Sequence, residues 1–325
     1  MARATPGTKG HLRPLGRSGL SIPPLVLGGN VFGWTADENA SFAVLDAFVA
    51  GGGTCIDTAD SYSRWVPGHS GGESETVIGK WLKRRGRHDD LVIATKVGSD
   101  MGQGHKDLSA KWIATACENS LKRLGIDRID LYQSHWDDPN TPQEETAEAH
   151  AKLVKAGKVR ALGCSNFEAA RLKSALAISE KKGLPRYETL QPHYNLLERA
   201  QFEGELAQTC IANGLGVISY FGLARGFLTG KYRSESDLAQ SQRGEGVQGY
   251  MTPLGFAVLA ALDEIAEERK ATPAQVSLAW IIAQPAITAP IASATTVKQV
   301  EELMGALQVT LTAQDLKRLN DASSR

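Results

Sequence analysis

The chain has 325 residues, 42% of them hydrophobic, which suits one large domain or two ordinary ones with a substantial core. Its 36 basic and 36 acidic residues cancel, so no global field draws it to nucleic acid or an anionic membrane. Residues 1–10 carry no apolar leader segment, and nowhere do roughly 18 apolar residues run together as a bilayer span requires.

Residues 11–24 read as a short hairpin turning at Arg17-Ser18-Gly19. After it, apolar strands and amphipathic helices alternate, with strands expected near 25–28, 54–57, 91–95, 129–134, 159–163, 187–190, 216–220 and 286–291. Thr35-Ala36-Asp37-Glu38, Thr141-Pro142-Gln143-Glu144 and Thr272-Pro273-Ala274-Gln275 fit a capping box, two of them with proline at the first helical position. Ser109 is expected to cap a helix over 110–123 that stops at Gly125, and Gly157 to end one over 144–155. Eight strands with intervening helices predict an α/β fold, a (β/α)8 TIM barrel with a short N-terminal β-hairpin and extra C-terminal helices. No composition break or linker divides it, so residues 1–325 are expected to form one domain. Two polar connections, 63–72 and 233–253, are long enough to suggest functional loops. Cys55, Cys117, Cys164 and Cys210 lack metal-ligand or CxxC spacing, as expected of reduced, packed thiols in a cytoplasm. The seven histidines show no ligand-like cluster, so no metal is expected.

Asp57, Lys96 and His135 each follow an apolar strand-like run, and Tyr62 lies in the loop after Asp57. In a parallel barrel those strand ends open onto one face, where active sites are built. A tyrosine with a pKa of about 10 is a reluctant acid or base at neutral pH. A neighbouring lysine, fixed by an aspartate, is expected to lower it, while a histidine orients a substrate carbonyl. Taken singly, Asp57 could cap the next helix and His135 could be a rim histidine without chemistry; together they suit proton transfer to a polarised substrate.

These four residues, with Ile56-Asp57-Thr58-Ala59-Asp60-Ser61-Tyr62, resemble the catalytic tetrad of the aldo-keto reductases. The resemblance extends over nearly the whole chain, through Leu27-Gly28-Gly29-Asn30, Gly72-Glu73-Ser74-Glu75, Leu162-Gly163-Cys164-Ser165-Asn166-Phe167, Gln191-Pro192-His193-Tyr194-Asn195 and Leu228-Thr229-Gly230-Lys231-Tyr232. It implies an NADPH-dependent oxidoreductase that reduces aldehyde or ketone carbonyls, sugar-derived or xenobiotic, without a Rossmann domain; no GxGxxG follows a strand. By resemblance, Tyr62 is the general acid, Asp57 and Lys96 its tuning pair, and His135 the orienting donor. Ser165, Asn166 and Gln191 match residues that bond the nicotinamide carboxamide, and Tyr220 matches the aromatic under that ring. Leu223, Gly226, Leu228, Gly230 and Lys231 fall in the loop that wraps the pyrophosphate. Ser293, Thr295, Gln299 and Glu302 occupy the segment that holds the adenosine end.

The chain departs from the family at several points. Phe221-Gly222 follows Tyr220 where many members have Ser-Pro, and Leu303 replaces a common asparagine. Ser293 and Gln299 stand where many relatives place a cation on the 2′-phosphate, leaving Lys298 and Arg243 as substitutes and NADH use open. Trp34, Trp65 and Trp136 lie in rim loops and are expected to wall a small carbonyl substrate. Two rivals remain at this stage: a catalytically weak, nicotinamide-binding regulatory subunit, and a Schiff-base aldolase with Lys96 as nucleophile.

Overall fold

A computed structural model describes residues 12–242 and 244–324. Expectations placed on residues 1–10, His11 and Arg243 lie outside the described residues. The hairpin is formed by Arg13–Pro14 (β1) and Ser21–Ile22 (β2), paired antiparallel around a turn tightened by Ser18 Oγ donating to the Leu15 carbonyl at 2.6 Å. Its Leu15, Leu20 and Ile22 are buried in one cluster with Val26, Cys55, Val92 and Leu131, inward residues of the barrel. The hairpin thus stoppers the end of the barrel away from the site, each of the three side chains contributing about 2 kcal/mol of burial.

Eight parallel strands close the barrel. They are β3 (Val26–Gly28), β4 (Cys55–Asp57), β5 (Val92–Val97), β6 (Ile129–Ser134), β7 (Val159–Ser165), β8 (Tyr187–Gln191), β9 (Gly216–Ser219) and β10 (Ala289–Ala292). β10 pairs with both β3 and β9, so no edge remains. The helices are α1 (Glu38–Ala50), α2 (Glu73–Arg85), α3 (Ala110–Leu124), α4 (Gln143–Lys155), α5 (Ala169–Lys182), α6 (Glu205–Asn213), α7 (Pro253–Arg269), α8 (Pro273–Ile282), α9 (Val297–Gly305) and α10 (Ala313–Ala322). α9 and α10 follow the last strand and are the expected C-terminal additions. No helix among the described residues is long and apolar enough to cross a membrane.

Period-two alternation explains where the polar layer sits. Cys55, Val92, Ala94 and Leu131 point inward at the stoppered end, and Asp57, Lys96 and Gln133 follow them in the same phase at the other. Register places Lys96 beside Gln133, Gln133 beside Gly163, and Ser165 beside Gln191. Gly163 is required there: a Cβ would lie 2.1 Å from Thr189 Oγ1 and 3.0 Å from Gln133 Cγ.

Helix starts follow the expected chemistry in part. Thr272 forms a capping box with Gln275, and Ser109 caps α3, which ends at left-handed Gly125. Gly157, at φ +73°, follows the last turn of α4 as expected. Two expectations fail. Asp37, not Thr35, caps α1, because Ala36 is tied into a tight turn with Val31 and Gly33. Thr141 Oγ1 turns away from its helix to donate to Asp138 at 2.6 Å, leaving Pro142 at the N-cap without a side-chain bond. Among the described residues of the 233–253 connection are two short 3₁₀ helices, Glu235–Gln240 and Glu245–Tyr250, and Arg233 at its start is paired with Asp263 on α7.

Candidate active site

Strand geometry brings Asp57, Lys96 and the Tyr62 loop together. Lys96, wholly buried, gives its three protons to Asp57 Oδ2 at 2.6 Å, the Thr58 carbonyl at 2.7 Å and Tyr62 Oη at 2.9 Å. Tyr62 Oη in turn donates to Asp57 Oδ2 over a long 3.3 Å, a bond weak enough to be exchanged for a ligand acceptor. Asp57 Oδ1 accepts from Gln191 Nε2 at 2.9 Å and from Gln133 Nε2 at 3.2 Å. A lysine bound this fully is poorly placed as a nucleophile, which counts against the aldolase reading.

His135 follows β6, its N–H held by the Val97 carbonyl at 2.7 Å. Its ring lies 6.0 Å from that of Tyr62 and stacks at 18° on Trp136. Nδ1 meets Ser99 Oγ at 2.9 Å, and no described residue bonds Nε2. Burial, then the charges of Lys96 and Lys106, hold the His135 pKa well below its usual value, so the ring is neutral. In the tautomer in which Nδ1 accepts from Ser99, Nε2 carries the proton as a donor. Burial and then the Asp57 charge push the Tyr62 pKa well above the usual phenol range. The lowering expected from Lys96 is therefore reversed: desolvation outweighs the cation, which burial itself draws down. The result is a neutral phenol and a neutral imidazole, two donors suited to one carbonyl oxygen.

A cavity of about 1080 Å³ opens above them. Asp57, Tyr62, His135, Ser165, Asn166, Gln191 and Tyr220 line it, as do Leu223, Gly226 and Lys231. So do Ser293, Thr295, Gln299, Glu302, Trp34, Trp65 and Trp136. Lys96 lies beneath the lining. Leu228 and Gly230 also lie outside it: Leu228 is wholly buried in the core, and Gly230 ends a 3₁₀ turn against Arg233 and Pro273. Exposed Lys298 is not among the lining residues either.

The free valences on the β7–β8 wall are acceptors. Asn166, left-handed at φ +58°, spends its amide protons on the His135 carbonyl at 2.9 Å and Ser165 Oγ at 3.0 Å. Gln191 spends its own on Asp57 and, at 3.3 Å, on Gln133 Oε1. Asn166 Oδ1, which takes the Tyr220 hydroxyl at 2.7 Å, and Gln191 Oε1 keep capacity for an amide NH₂. Tyr220 lines the cavity while stacked on His193 at 14°. Beyond it, Phe221, Ala224, Arg225 and Gly226 all adopt positive φ, and Arg225 joins Lys231 in lining the cavity. An acceptor pair, an aromatic face and two cations fit a nicotinamide dinucleotide. At the far end, Ser293 Oγ meets Asn30 Oδ1 at 2.5 Å, and Gln299 Oε1 accepts from Thr295 N at 2.7 Å.

The aromatic wall is built from neighbouring loops. Trp34 and Trp65 meet edge-on at 5.5 Å, and Trp65, 51% exposed, lies 6.2 Å from Tyr62. Gln133, Ser99 and Arg225 had no place in the sequence reading. Gln133 was detectable, since it shares the inward phase of Leu131; Ser99 and Arg225 gave no comparable signal.

Fold and rim together define a barrel with an enzyme-like site at the C-terminal ends of its strands. A model described as "Aldo/keto reductase family" matches residues 24–324. An uncharacterized oxidoreductase, YrpG, of Bacillus subtilis (strain 168) is 36% identical over 315 residues, covering 94% of each chain. The L-glyceraldehyde 3-phosphate reductase of Escherichia coli (strain K12) is 32% identical over 320 residues, 95% of this chain and 91% of its own. An aldo-keto reductase of Schizosaccharomyces pombe, yakc, whose name specifies NADP(+), is 33% identical over 296 residues, 88% and 83% of the two chains. The chain belongs to the aldo/keto reductase family.

Proposed function

We propose that this chain is a nicotinamide-dependent reductase that converts aldehyde or ketone carbonyls to alcohols. The observation that carries it is Lys96 Nζ bridging Asp57 and Tyr62 at 2.6 and 2.9 Å beside a neutral His135. When bound, the nicotinamide nucleotide, NADPH or NADH, supplies the hydride. Ser165, Asn166 and Gln191 would hold its carboxamide, Tyr220 would offer the aromatic surface for its ring, and Leu223, Gly226 and Lys231 would take the pyrophosphate, with Leu228 and Gly230 shaping that loop. Ser293, Thr295, Gln299 and Glu302 would take the adenosine end. His135 Nε2 holds the substrate carbonyl, and Tyr62 Oη delivers a proton to its oxygen. Lys96 keeps that oxygen atom in place and stabilises the phenolate left behind, with Asp57 as counter-ion. Trp34, Trp65 and Trp136 exclude water around a small uncharged carbonyl compound.

One closed sheet across the described strands supports reading residues 1–325 as one domain. Four buried, unpaired cysteines favour a reducing, cytoplasmic setting. Replacing Tyr62 with phenylalanine tests the assignment. Carbonyl reduction falls by about a thousandfold or more, while nucleotide affinity stays near the parent value. Wild-type turnover in that variant would remove Tyr62 as the acid.

A further inference from the structure

A neutral imidazole carries a donor on one nitrogen and an acceptor on the other, so only one tautomer of His135 can offer a proton to a carbonyl in the cavity. Two serine hydroxyls meet the nitrogen that faces away from that task. Ser99 Oγ lies 2.9 Å from Nδ1 and Ser61 Oγ lies 3.4 Å from it. Neither serine lines the cavity, whereas His135 does.

Ser99 is carried there by the end of β5. Gly98, at φ +104°, turns the chain out of the strand, and a Cβ there would lie 2.6 Å from Leu108 Cδ2. Gln103 closes the turn: its Nε2 donates to the Ser99 carbonyl at 3.1 Å, and its Oε1 accepts from Met101 N at 2.8 Å. His135 is anchored without help from the serines. Its N–H donates to the Val97 carbonyl at 2.7 Å, its carbonyl accepts from Asn166 Nδ2 at 2.9 Å, and its ring stacks on Trp136.

The direction of the bond follows from the hydroxyl protons. Among the described residues, neither Ser99 Oγ nor Ser61 Oγ has an acceptor other than Nδ1. With the proton on Nδ1, both hydroxyls would lose that acceptor, Ser99 at a position only 8% exposed. A buried donor left unpaired is costly, so this tautomer is disfavoured.

We propose that Ser99, seconded by Ser61, fixes the Nε2–H tautomer of His135 and is thereby a positioning residue for carbonyl reduction. Both serines act through the imidazole and not by touching the substrate.

The kinetic consequence rests on the proposed use of His135 as carbonyl donor; the tautomer does not. Proton–nitrogen correlation spectra of the histidine-labelled protein at neutral pH read the tautomer directly, and His135→Gln identifies its signals among the seven histidines by their loss. The parent protein is expected to show a protonated Nε2 and a bare Nδ1. The reverse pattern overturns the assignment. The double variant Ser61→Ala/Ser99→Ala is expected to gain the Nδ1–H form, and an unchanged spectrum there overturns the role of the serines. In steady state, Ser99→Ala lowers kcat/KM for carbonyl reduction by about tenfold, Ser99→Thr keeps it within about threefold, and the nucleotide Kd stays within about twofold in both. Equal damage from alanine and threonine overturns the positioning role, because a hydroxyl donor would then not be what counts. Should the double variant fail to fold, the parent spectrum and the two Ser99 variants still decide. If Tyr62→Phe remains active while the parent shows Nε2–H, the reading of Tyr62 fails and the tautomer assignment stands.

Discussion

Gln191 donates from Nε2 to Asp57 Oδ1 at 2.9 Å. The residue proposed to hold the nicotinamide carboxamide is thereby wired to the acid that fixes Lys96. Its side chain has two tasks, one for each end: the amide protons anchor Asp57 and Gln133, and Oε1 is left for a ligand. Tyr220 has no such link; its hydroxyl ends at Asn166.

The two residues should therefore behave differently when removed. Tyr220→Leu is expected to weaken nucleotide binding by roughly tenfold with kcat nearly unchanged. Gln191→Leu should weaken binding and also lower kcat, because a buried carboxylate loses a donor worth about 1–3 kcal/mol. Fluorescence titration gives the dissociation constants, and single-turnover reduction gives the chemical step. An unchanged chemical step in Gln191→Leu would mean that its bond to Asp57 does not serve Lys96.

Lys96→Met makes a separate prediction about stability. The substitution leaves Asp57 as a buried carboxylate without its cation, which costs about 3–5 kcal/mol, besides abolishing reduction. Adding Asp57→Asn to Lys96→Met removes the stranded charge and should restore much of the stability, though not the activity. Urea denaturation of the two variants decides. If the double variant is no more stable than Lys96→Met, the ion pair at 2.6 Å is not what sets the cost.

Much of this was legible in the chain because barrel strands announce themselves as short apolar runs whose last inward residue is polar. Asp57, Lys96 and His135 each end such a run, and the structure gathers them with Tyr62 at one end of the barrel. Helix starts were less legible, since a threonine before an acidic residue specifies a cap only when nothing nearby competes. Asp138 competes for Thr141, and a tight turn removes Thr35. Proton affinities were the least legible. The rise in the Tyr62 pKa follows from burial that only the closed fold creates, and no spacing of Lys96 and Tyr62 in sequence reports it. Leu228 and Gly230 illustrate the same limit, being in the expected loop but turned away from its ligand face.

His150 predicts an acid sensitivity. It is 1% exposed between Tyr132 and Tyr187, donates from Nδ1 to the Thr146 carbonyl at 2.9 Å, and has no partner at Nε2. Burial lowers its pKa from 6.5 to about 4. The unfolded chain therefore takes up a proton near pH 6.5 that the native chain refuses until about pH 4. Stability is full above the upper value and falls as pH drops through this window, by roughly 3 kcal/mol from this residue. His150→Leu removes the titration, so its urea midpoint should fall less than the parent's over the same range. Parallel falls would show that His150 is not the group responsible.

Nucleotide preference follows from where the cations lie. Among the described residues, Arg225 and Lys231 are the lysine and arginine side chains that line the cavity, and both belong to the loop after β9. The opposite end is bordered by neutral Ser293, Thr295 and Gln299 and by acidic Glu302, while exposed Lys298 stays outside the lining. A 2′-phosphate placed there gains hydroxyl and amide donors but no paired cation, and a charge-assisted bond is worth about 1.5–3 kcal/mol. NADPH and NADH should therefore bind with dissociation constants within about tenfold of one another, read from quenching of tryptophan fluorescence. Ser293→Arg should tilt the balance towards NADPH, with the gain shrinking as salt rises. A parent preference for NADPH of about a hundredfold or more would place a cation on the 2′-phosphate after all, and Lys298→Ala would then show whether α9 supplies it. Failure to bind either nucleotide would remove the reductase reading itself, because Tyr62 would then have no hydride to accompany.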